Sequence, residues 1–262
     1  MPKPETITSP ANPLLKDIRR AVARDSLTYD GWCVAETFHL LEEALRSPCE
    51  VKVVLLSESE SAPLPDLRGA RLIRLPDSLL RSISGAETSP GVLALVKPFQ
   101  WELEQLFNNC PLVVVLDGLQ DPGNCGAIGR VAEAFGATGI IFLKGTASPF
   151  NSKTLRASAG SLFRVPFVHG FDAPTALAAF DRLAVRLFAG VPNRPGVLNL
   201  ADANLACPCA VVIGNEARGI SVEMRNASSE ITIPTASVES LNAAVAAGIL
   251  LYEAGRQRKA DR

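Results

Sequence analysis

Short apolar runs recur through the second half of the chain, with helical stretches between most of them. Six of these runs predict strands: "LVVVLDG" from Leu112, "GIIFLKG" from Gly139, "VPFVHG" from Val165, "VRLFAG" from Val185, "AVVIG" from Ala210 and "ITIP" from Ile231. Most are continuous rather than alternating, as in strands that are covered on both faces. The pattern therefore predicts an α/β domain with a mainly parallel sheet.

The first third of the chain alternates helix and strand on a smaller scale. Apolar residues recur at helical spacing over residues 12–24 and 36–46, and the runs "VKVVLL" from Val51 and "VLALVK" from Val92 predict strands. The polar, proline-rich stretch "SESESAPLPDLRG" from Ser57 predicts a surface loop. We predict a small α/β domain over residues 1–98, a linker over 99–110 and a second α/β domain over 111–262.

Composition narrows the class of protein. The 262 residues are 47% hydrophobic and carry a net charge of −1 at pH 7, which describes a globular protein without a general attraction to acidic polymers. Neither "MPKPETITSP" at the N-terminus nor any later run has the apolar length of a signal peptide or membrane helix, so a cytoplasmic protein without membrane contact is expected. The six cysteines lack C-x-x-C spacing and only two histidines are present, so no metal site is expected.

A glycine-rich turn follows the first strand of the second domain. "DPGNCGAIGR", residues 121–130, has the order of strand, turn and helix that many phosphate loops share. Its glycines are spaced G-x-x-G-x-x-G, Lys144 stands where a dinucleotide site needs an acid, and no Gly-Lys-Ser/Thr follows, so a nicotinamide, flavin or P-loop site is disfavoured. Two interpretations stay open: Asn124 and Arg130 serve a ligand, or Asn124 caps a helix that begins near Cys125 and Arg130 is a surface charge.

Two further loops follow strands later in the chain. "GNEARGIS", residues 214–221, ends the fifth predicted strand, and "IPTASVESLNAAVA", from Ile233, ends the sixth. In this order, the three loops resemble the three motifs of SpoU-type, also called TrmH-type, RNA ribose methyltransferases of the SPOUT class. The segment "SKTLRASAGSLFRVP" is similar to the family segment between the first two motifs. "LTYDGWCVAETFHLLEEAL" and "TSPGVLALV" resemble the small α/β RNA-binding domain that precedes the catalytic domain in many members.

The resemblance implies a fold, a cofactor and an assembly. The second domain would be a six-stranded parallel sheet whose last segment threads through a loop to form a trefoil knot. S-adenosylmethionine would bind in the knot, and two subunits would form a homodimer in which each active site is completed at the interface. The residues that would line the cofactor site are Gly190, Gly214, Asn215, Ile233 and Leu241.

The same resemblance assigns catalytic roles to Asn124, Arg130, Glu216, Ser240 and Asn242. The implied reaction is attack of a ribose 2′-hydroxyl on a sulfonium methyl, and a hydroxyl needs its proton removed or its developing charge stabilised. Because a guanidinium stays protonated, we expect Arg130 to act as a fixed positive charge, with a general base as the alternative.

The other catalytic candidates would position the loops. Asn124 and Asn242 would orient the nucleotide or the catalytic loop, and Glu216 would anchor the second motif by accepting hydrogen bonds from the first. Ser240 would do the same or cap a final helix over residues 241–256. The chain departs from the common pattern at Ala217, where glycine is usual, which matters only if that position needs a positive φ. A second departure is Ala244, where many members have a hydroxyl residue.

The expected partner is structured RNA, with ribosomal RNA ahead of transfer RNA because a similar N-terminal domain accompanies that substrate in many relatives. The basic residues that would contact RNA phosphates are Arg19, Arg20, Arg24, Lys153, Arg156 and Arg164. The alternative is an RNA-binding or ribosome-assembly protein that has kept the fold without catalysis.

Overall fold

The computed structural model describes residues 4–85 and 91–260. Its contacts divide the chain into two units, Met1–Phe99 with Phe150–Arg164, and Gln100–Pro149 with Val165–Arg262. This division differs from the predicted domains at two places. The predicted linker 99–110 belongs to the second unit from Gln100 onward, because Leu103 and Leu106 are buried in that unit's core. Residues 150–164, predicted in the second domain, group with the first unit. Thr88, Ser89 and Pro90 of "TSPGVLALV" lie outside the described residues.

The first unit contains a five-stranded mixed sheet. Elements are numbered in chain order across both units, and those of this unit are β1 (Glu5–Thr6), α1 (Pro13–Ala23), β2 (Cys33–Glu36), α2 (Phe38–Arg46), β3 (Glu50–Ser57), β4 (Arg71–Leu75), α3 (Asp77–Ile83), β5 (Val92–Lys97) and α5 (Ser152–Ala157). The strand order is β1-β4-β3-β5-β2. The pairs β1 with β4 and β4 with β3 are parallel, whereas β5 runs antiparallel to β3 and β2.

Two helices of the first unit begin at residues whose side chains cap them. Asn12 accepts a hydrogen bond from the Leu14 N–H at 2.9 Å, and a proline at the first helical position completes the start of α1. Thr37 caps α2 through a bond from the Leu40 N–H at 3.2 Å, and its φ of 104° is in a region that favours glycine. A β-branched residue at this φ stores strain at the junction of β2 and α2.

Glu36, the last residue of β2, is 1% exposed in the first unit. Its carboxylate accepts hydrogen bonds from the Ser84 hydroxyl and the Gly85 N–H, and forms an ion pair with Arg156 of α5. A buried carboxylate is costly unless it is paired and hydrogen-bonded, so residues 150–164 supply part of what makes this unit stable.

The second unit contains a parallel sheet of seven strands. Its elements are β6 (Leu112–Asp117), α4 (Pro122–Ala134), β7 (Gly139–Leu143), β8 (Phe167–Phe171), α6 (Ala173–Arg182), β9 (Arg186–Val191), β10 (Leu198–Asn199), β11 (Cys209–Gly214), α7 (Val222–Asn226), β12 (Ser229–Thr232) and α8 (Ala243–Ala260). The order is β10-β12-β9-β11-β6-β7-β8. Each pairing of neighbours is parallel.

The six strands predicted from apolar runs are all present, and the α/β class with a parallel sheet is confirmed. The seventh strand is β10, a two-residue pairing with β12 that carries no apolar run of its own. Helix α4 begins at Pro122 rather than near Cys125, because Asp121 caps it and proline suits the first helical position. The final helix covers 243–260 instead of 241–256. The trefoil threading of the chain stays a prediction.

The strand order brings the three motif loops to one edge of the sheet. Strand β11 lies between β9 and β6, and β12 pairs with the other side of β9. The register pairs Gly214 with Asp117, the last residues of β11 and β6. Because these strands are parallel, the loops that follow them emerge at the same edge, where ligands of open α/β sheets bind. No helix among residues 4–85 and 91–260 is long and apolar enough to cross a membrane.

Candidate active site

A cavity of about 720 Å³ lies in the second unit, where the loops after β9, β11 and β12 meet. All five residues predicted to hold the cofactor line it: Gly190, Gly214, Asn215, Ile233 and Leu241. Its wall also includes the apolar side chains Ile213, Ile231 and Leu250. Its volume lies within the roughly 300–1,000 Å³ of small-molecule sites, and an apolar wall beside loop backbone suits a mostly uncharged adenosine.

Gly214 is required by the packing of the second motif loop. A Cβ at this position would stand 2.5 Å from the Gly219 carbonyl carbon and 2.5 Å from the Ile220 nitrogen. The loop closes on itself, because the N–H groups of Asn215 and Gly219 each donate to the other residue's carbonyl, at 3.0 and 2.9 Å. Gly219 has φ +71° and takes the left-handed position, which Ala217 does not. The alanine of this motif therefore causes no strain.

Asn215 holds this loop against the end of β6. Its side-chain amide donates to the Gly118 carbonyl at 2.7 Å, and its side-chain oxygen accepts from the N–H groups of Ala217 and Arg218, both at 2.9 Å. Asp117, the last residue of β6, makes a second contact with the loop: its carboxylate accepts a hydrogen bond from the Ser221 N–H at 2.7 Å. The side chain of Asn215 is thus occupied within the protein, and its backbone is bonded to Gly219, so Asn215 shapes the wall of the cavity by holding the loop.

One chain of side-chain hydrogen bonds joins the three motifs. The Asn124 amide nitrogen donates to Glu216 Oε1 at 3.0 Å, and the Asn242 amide nitrogen donates to Asn124 Oδ1 at 3.1 Å. Glu216 and Asn242 both line the cavity. Asn124 is therefore a donor to the second motif and an acceptor from the third, so its orientation is fixed by both neighbours.

Glu216 is held as a carboxylate by this arrangement. Desolvation raises the pKa of its carboxyl, but hydrogen bonds from the Asn124 side chain and from backbone N–H groups, Gln120 among them, outweigh that effect and lower the pKa below its ordinary value. Ionised Glu216 can only accept hydrogen bonds, so it orients the donors of the first motif.

The third motif ends in the start of α8. Asn242 Oδ1 accepts from the N–H groups of Ala244 and Val245, at 2.9 and 3.3 Å, so Asn242 rather than Ser240 caps this helix. Ser240 is exposed and lines the cavity. Ala244 takes part in this cap through its backbone N–H, and its side chain does not contribute to the hydrogen bond.

Arg130 lies apart from these residues. It is exposed on α4, six residues after Asn124, which is about 9 Å further along the helix axis. It is not among the residues that line the cavity. Within the part of the chain that the structure describes, no carboxylate pairs with it, so its charge is available to a ligand.

The remaining polar atoms near the first motif do not suggest other chemistry. Burial, together with the charges of Glu216 and Asp121, raises the pKa of the Cys125 thiol to about 12, so this cysteine stays protonated and is a poor nucleophile.

Residues 4–85 and 91–260 contain no group of three or more histidine, cysteine, aspartate or glutamate side chains that could hold a metal ion.

The family model of the SpoU rRNA methylase family matches residues 111–252, more than half of the chain. The chain belongs to this family. The assignment makes it an RNA methyltransferase, and the three hydrogen-bonded loops lie within the matched residues.

Relatives and solved structures agree over most of the length. A 23S rRNA (guanosine-2′-O)-methyltransferase of Bacillus subtilis is 28% identical over 249 residues, covering 94% of this chain and 97% of the relative. An uncharacterised tRNA/rRNA methyltransferase of Synechocystis is 31% identical over 97% of this chain and 94% of its own length. The SpoU methyltransferase AviRb of Streptomyces viridochromogenes, crystallised with S-adenosylmethionine, has a TM-score of 0.82 at 28% identity, covering 96% of this chain and all (100%) of that one.

A structure concerned with 2′-hydroxyl methylation of tRNA gives a shorter match. It has a TM-score of 0.52 at 29% identity and covers 58% of this SpoU methylase and 98% of the tRNA-directed chain. The similarity to that structure is therefore limited to part of the chain, whereas the AviRb match extends over both units.

Sequence reasoning missed one wall of the cavity of this SpoU methylase. Pro192, Asn193 and Arg194, in the loop after β9, line it. Arg194 and Arg225 both form ion pairs with Glu230, and these bonds lower the pKa of the Glu230 carboxyl. The signal was present as "PNRPG", a turn-forming segment directly after a predicted parallel strand.

The six predicted RNA contacts all fall in the first unit and differ in their surroundings. Arg156 is paired with Glu36, and Arg164 with Glu43. Arg20 is paired with Asp17, and Arg19 donates to Ser82. Arg24 and Lys153 are exposed. The sequence showed the charges but not that acids of the same unit compensate Arg20, Arg156 and Arg164.

Proposed function

We propose that this chain transfers a methyl group from S-adenosylmethionine to the 2′-hydroxyl of a ribose in structured RNA, and that the RNA is ribosomal. The observation that carries the proposal is the bonded series Glu216, Asn124 and Asn242 beside a cavity of about 720 Å³. This series places the first and third motifs around the loop that forms one wall of the cavity. The relatives named above supply the reaction class.

The cavity suits the cofactor by the chemistry of its walls. The loop backbone around Gly214 and the side chains of Ile233 and Leu241 would contact the adenosine through main-chain groups and apolar surface. When bound, the cofactor supplies an electrophilic methyl group on a sulfonium. The remaining chemistry is that of the protein, which must orient the ribose and stabilise charge on its 2′-oxygen.

Arg130 would stabilise that charge. Its guanidinium is a cation that is exposed and has no acidic partner among residues 4–85 and 91–260. It would therefore act as a fixed cation beside the developing alkoxide or the adjacent phosphate, with the proton passing to phosphate or water. Arg130→Ala should lose turnover. Retention by Arg130→Lys would mean that charge suffices, and loss in both would mean that the planar, two-pronged geometry is needed.

The chain would act as a homodimer that pairs through α8. Val245, Ile249 and Tyr252 are 51%, 36% and 57% exposed, and their spacing of four and three residues places them on one face of the helix. Large apolar side chains grouped on a surface helix favour burial against another subunit. Light scattering should give a dimer for the wild type and a monomer for Ile249→Asp. A monomeric wild type would overturn this part of the proposal.

Arg130 would serve the cavity of the partner subunit, since it does not line the cavity of its own chain. Mixing two inactive variants tests this. If Arg130→Ala and Gly214→Ala subunits exchange freely, half of the dimers are mixed and each has one intact composite site, so about a quarter of wild-type activity should return. A mixture that stays inactive, with exchange verified by differently tagged subunits, would place Arg130 in its own chain's site.

Ribosomal RNA is favoured over transfer RNA by the extent of the matches. The tRNA-directed structure matches 58% of this chain, whereas the 23S rRNA methyltransferase of Bacillus subtilis matches 94% of it. The direct test supplies tritiated S-adenosylmethionine with transcripts of 16S rRNA, 23S rRNA and tRNA, and then maps 2′-O-methyl positions in total RNA with and without the gene. Methyl transfer to tRNA alone would correct the substrate. Cofactor binding without transfer to any RNA would support an RNA-binding protein that lacks catalysis.

A further inference from the structure

We propose that Tyr29 and Arg20 of the first unit form a platform on which an unpaired base of the RNA substrate stacks. The inference rests on the proposed function, because it names the feature of the RNA that this unit recognises. Tyr29 is 81% exposed, and the guanidinium carbon of Arg20 lies 4.0 Å from the centroid of its ring. One face of the ring is therefore covered by a cation, and the side chain is otherwise open to solvent.

The tyrosine is held in place before any ligand arrives. It follows Thr28 in a tight turn closed by a bond from the Gly31 N–H to the Thr28 carbonyl at 2.9 Å, and Gly31 has φ +77°. The Tyr29 N–H itself donates to Asp17 Oδ2 at 2.9 Å. Because these bonds fix the backbone of the turn, little backbone entropy is lost when the ring contacts a ligand.

Arg20 is fixed more firmly than a surface arginine needs to be. It donates to Asp17 Oδ1 from Nε at 3.0 Å and from Nη2 at 2.7 Å, and Nη2 also donates to the Leu27 carbonyl at 2.9 Å. Its charge is matched by Asp17, so it is poorly suited to bind a phosphate as the sequence suggested. Its planar guanidinium instead stacks on one face of the Tyr29 ring.

The charges around the platform favour nucleic acid over a protein partner. Lys16 stands one helical turn before Arg20 on the same face of α1, and Arg24 is the residue at which this helix ends; both are exposed. Neither has an ion-pair partner within the described part of the chain. Asp25 and Asp30 are exposed beside the turn, so the tyrosine itself suits a neutral base, and the flanking cations suit the phosphates on either side of that base.

An RNA hairpin with 2-aminopurine in its unpaired loop tests the platform, with a fully paired RNA as the control ligand. Stacking should quench the fluorescence of the probe on binding. Tyr29→Ala should bind the hairpin about 5- to 150-fold more weakly, the range expected for one base stacked on an aromatic ring, and should lose the quenching. Tyr29→Phe should keep both.

The salt dependence of binding separates stacking from charge. Tyr29→Ala should leave the slope of log affinity against log salt unchanged, whereas Arg24→Gln should reduce it by about 1 and keep the quenching. Leu183→Ala, which removes an exposed apolar side chain of the second unit, should change neither. Melting curves verify that the variants remain folded.

Equal binding by Tyr29→Ala and the wild type, or an absence of quenching in the wild type, would overturn the platform. Methyl transfer to rRNA transcripts by the wild type, measured in parallel, would in that case leave the proposed function standing. Failure of methyl transfer with intact, Tyr29-dependent quenching would overturn the proposed reaction and keep the platform.

Discussion

Gly214→Ala should destabilise the second unit and abolish cofactor binding, although it adds only one methyl group. The added Cβ would lie 2.5 Å from two backbone atoms of the Gly219 to Ile220 link, which cannot rotate away as a side chain could. Forcing a methyl group into packed surroundings costs about 1–3 kcal/mol. Because the displaced segment is a wall of the cavity, we also expect the affinity for S-adenosylmethionine to fall by at least about tenfold, the equivalent of roughly 1.4 kcal/mol.

The matched control is Gly248→Ala in α8. There the nearest atom to the added Cβ is Val131 Cγ1 at 3.9 Å, an ordinary contact. Alanine in a helix interior is favoured over glycine, so this variant should gain about 0.5–1 kcal/mol. Urea unfolding gives the stabilities, and isothermal titration calorimetry with S-adenosylmethionine gives the affinities. If Gly214→Ala were as stable as Gly248→Ala and bound the cofactor normally, the steric reasoning would be wrong.

Three further changes test other parts of the structure. Asn124→Ala and Asn242→Ala should each lower the free energy of unfolding by about 0.5–1.5 kcal/mol. Because the two side chains share one hydrogen bond, the double variant should lose less than the sum of the two single losses. Strictly additive losses in this double-mutant cycle would contradict the bonded series. The folded-state pKa of Glu216 is lowered, so its contribution to stability is complete above the ordinary value of 4.5 and is lost as the pH falls through the lower folded value. In urea unfolding, wild type should therefore lose more stability than Glu216→Gln as the pH is lowered from above 4.5 to below the folded value, and parallel curves over that range would argue against the bonds. Thr37→Gly should raise the free energy of unfolding of the first unit by about 1 kcal/mol or more. Relief of the backbone strain at φ 104° is worth about 1–3 kcal/mol, whereas loss of the Thr37 cap costs only a few tenths of a kcal/mol. A less stable variant would show that this φ is not strained.

The parallel sheet and the motif loops could be predicted because their signals are local. Strands such as β6 and β11 are covered on both faces and so appear as unbroken apolar runs. Parallel pairing then brings their final residues, Asp117 and Gly214, side by side. The order of the strands, which decides that the loop after β9 joins the cavity, has no such local signal.

The ion pairs of the first unit could not be predicted for the same reason. Arg156 and Glu36 are 120 residues apart, and nothing in the letters around Arg156 distinguishes a partner of a buried acid from a contact for RNA. Arg20 is similar, since its role depends on the turn that presents Tyr29. Charge can be read from a sequence, but whether it is already compensated depends on the tertiary fold.

The buried carboxylate of Glu36 decides how this protein can be divided for experiments. A fragment that stops at Phe99 would keep the acid, Ser84 and Gly85 but would lack Arg156, which the chain supplies only after β7. Removing one partner of a buried ion pair costs about 3–5 kcal/mol, a large share of the stability of a small domain. The N-terminal unit therefore cannot be separated as one continuous stretch of the sequence. A graft or truncation that respects its fold has to carry residues 150–164 as a second, separate piece.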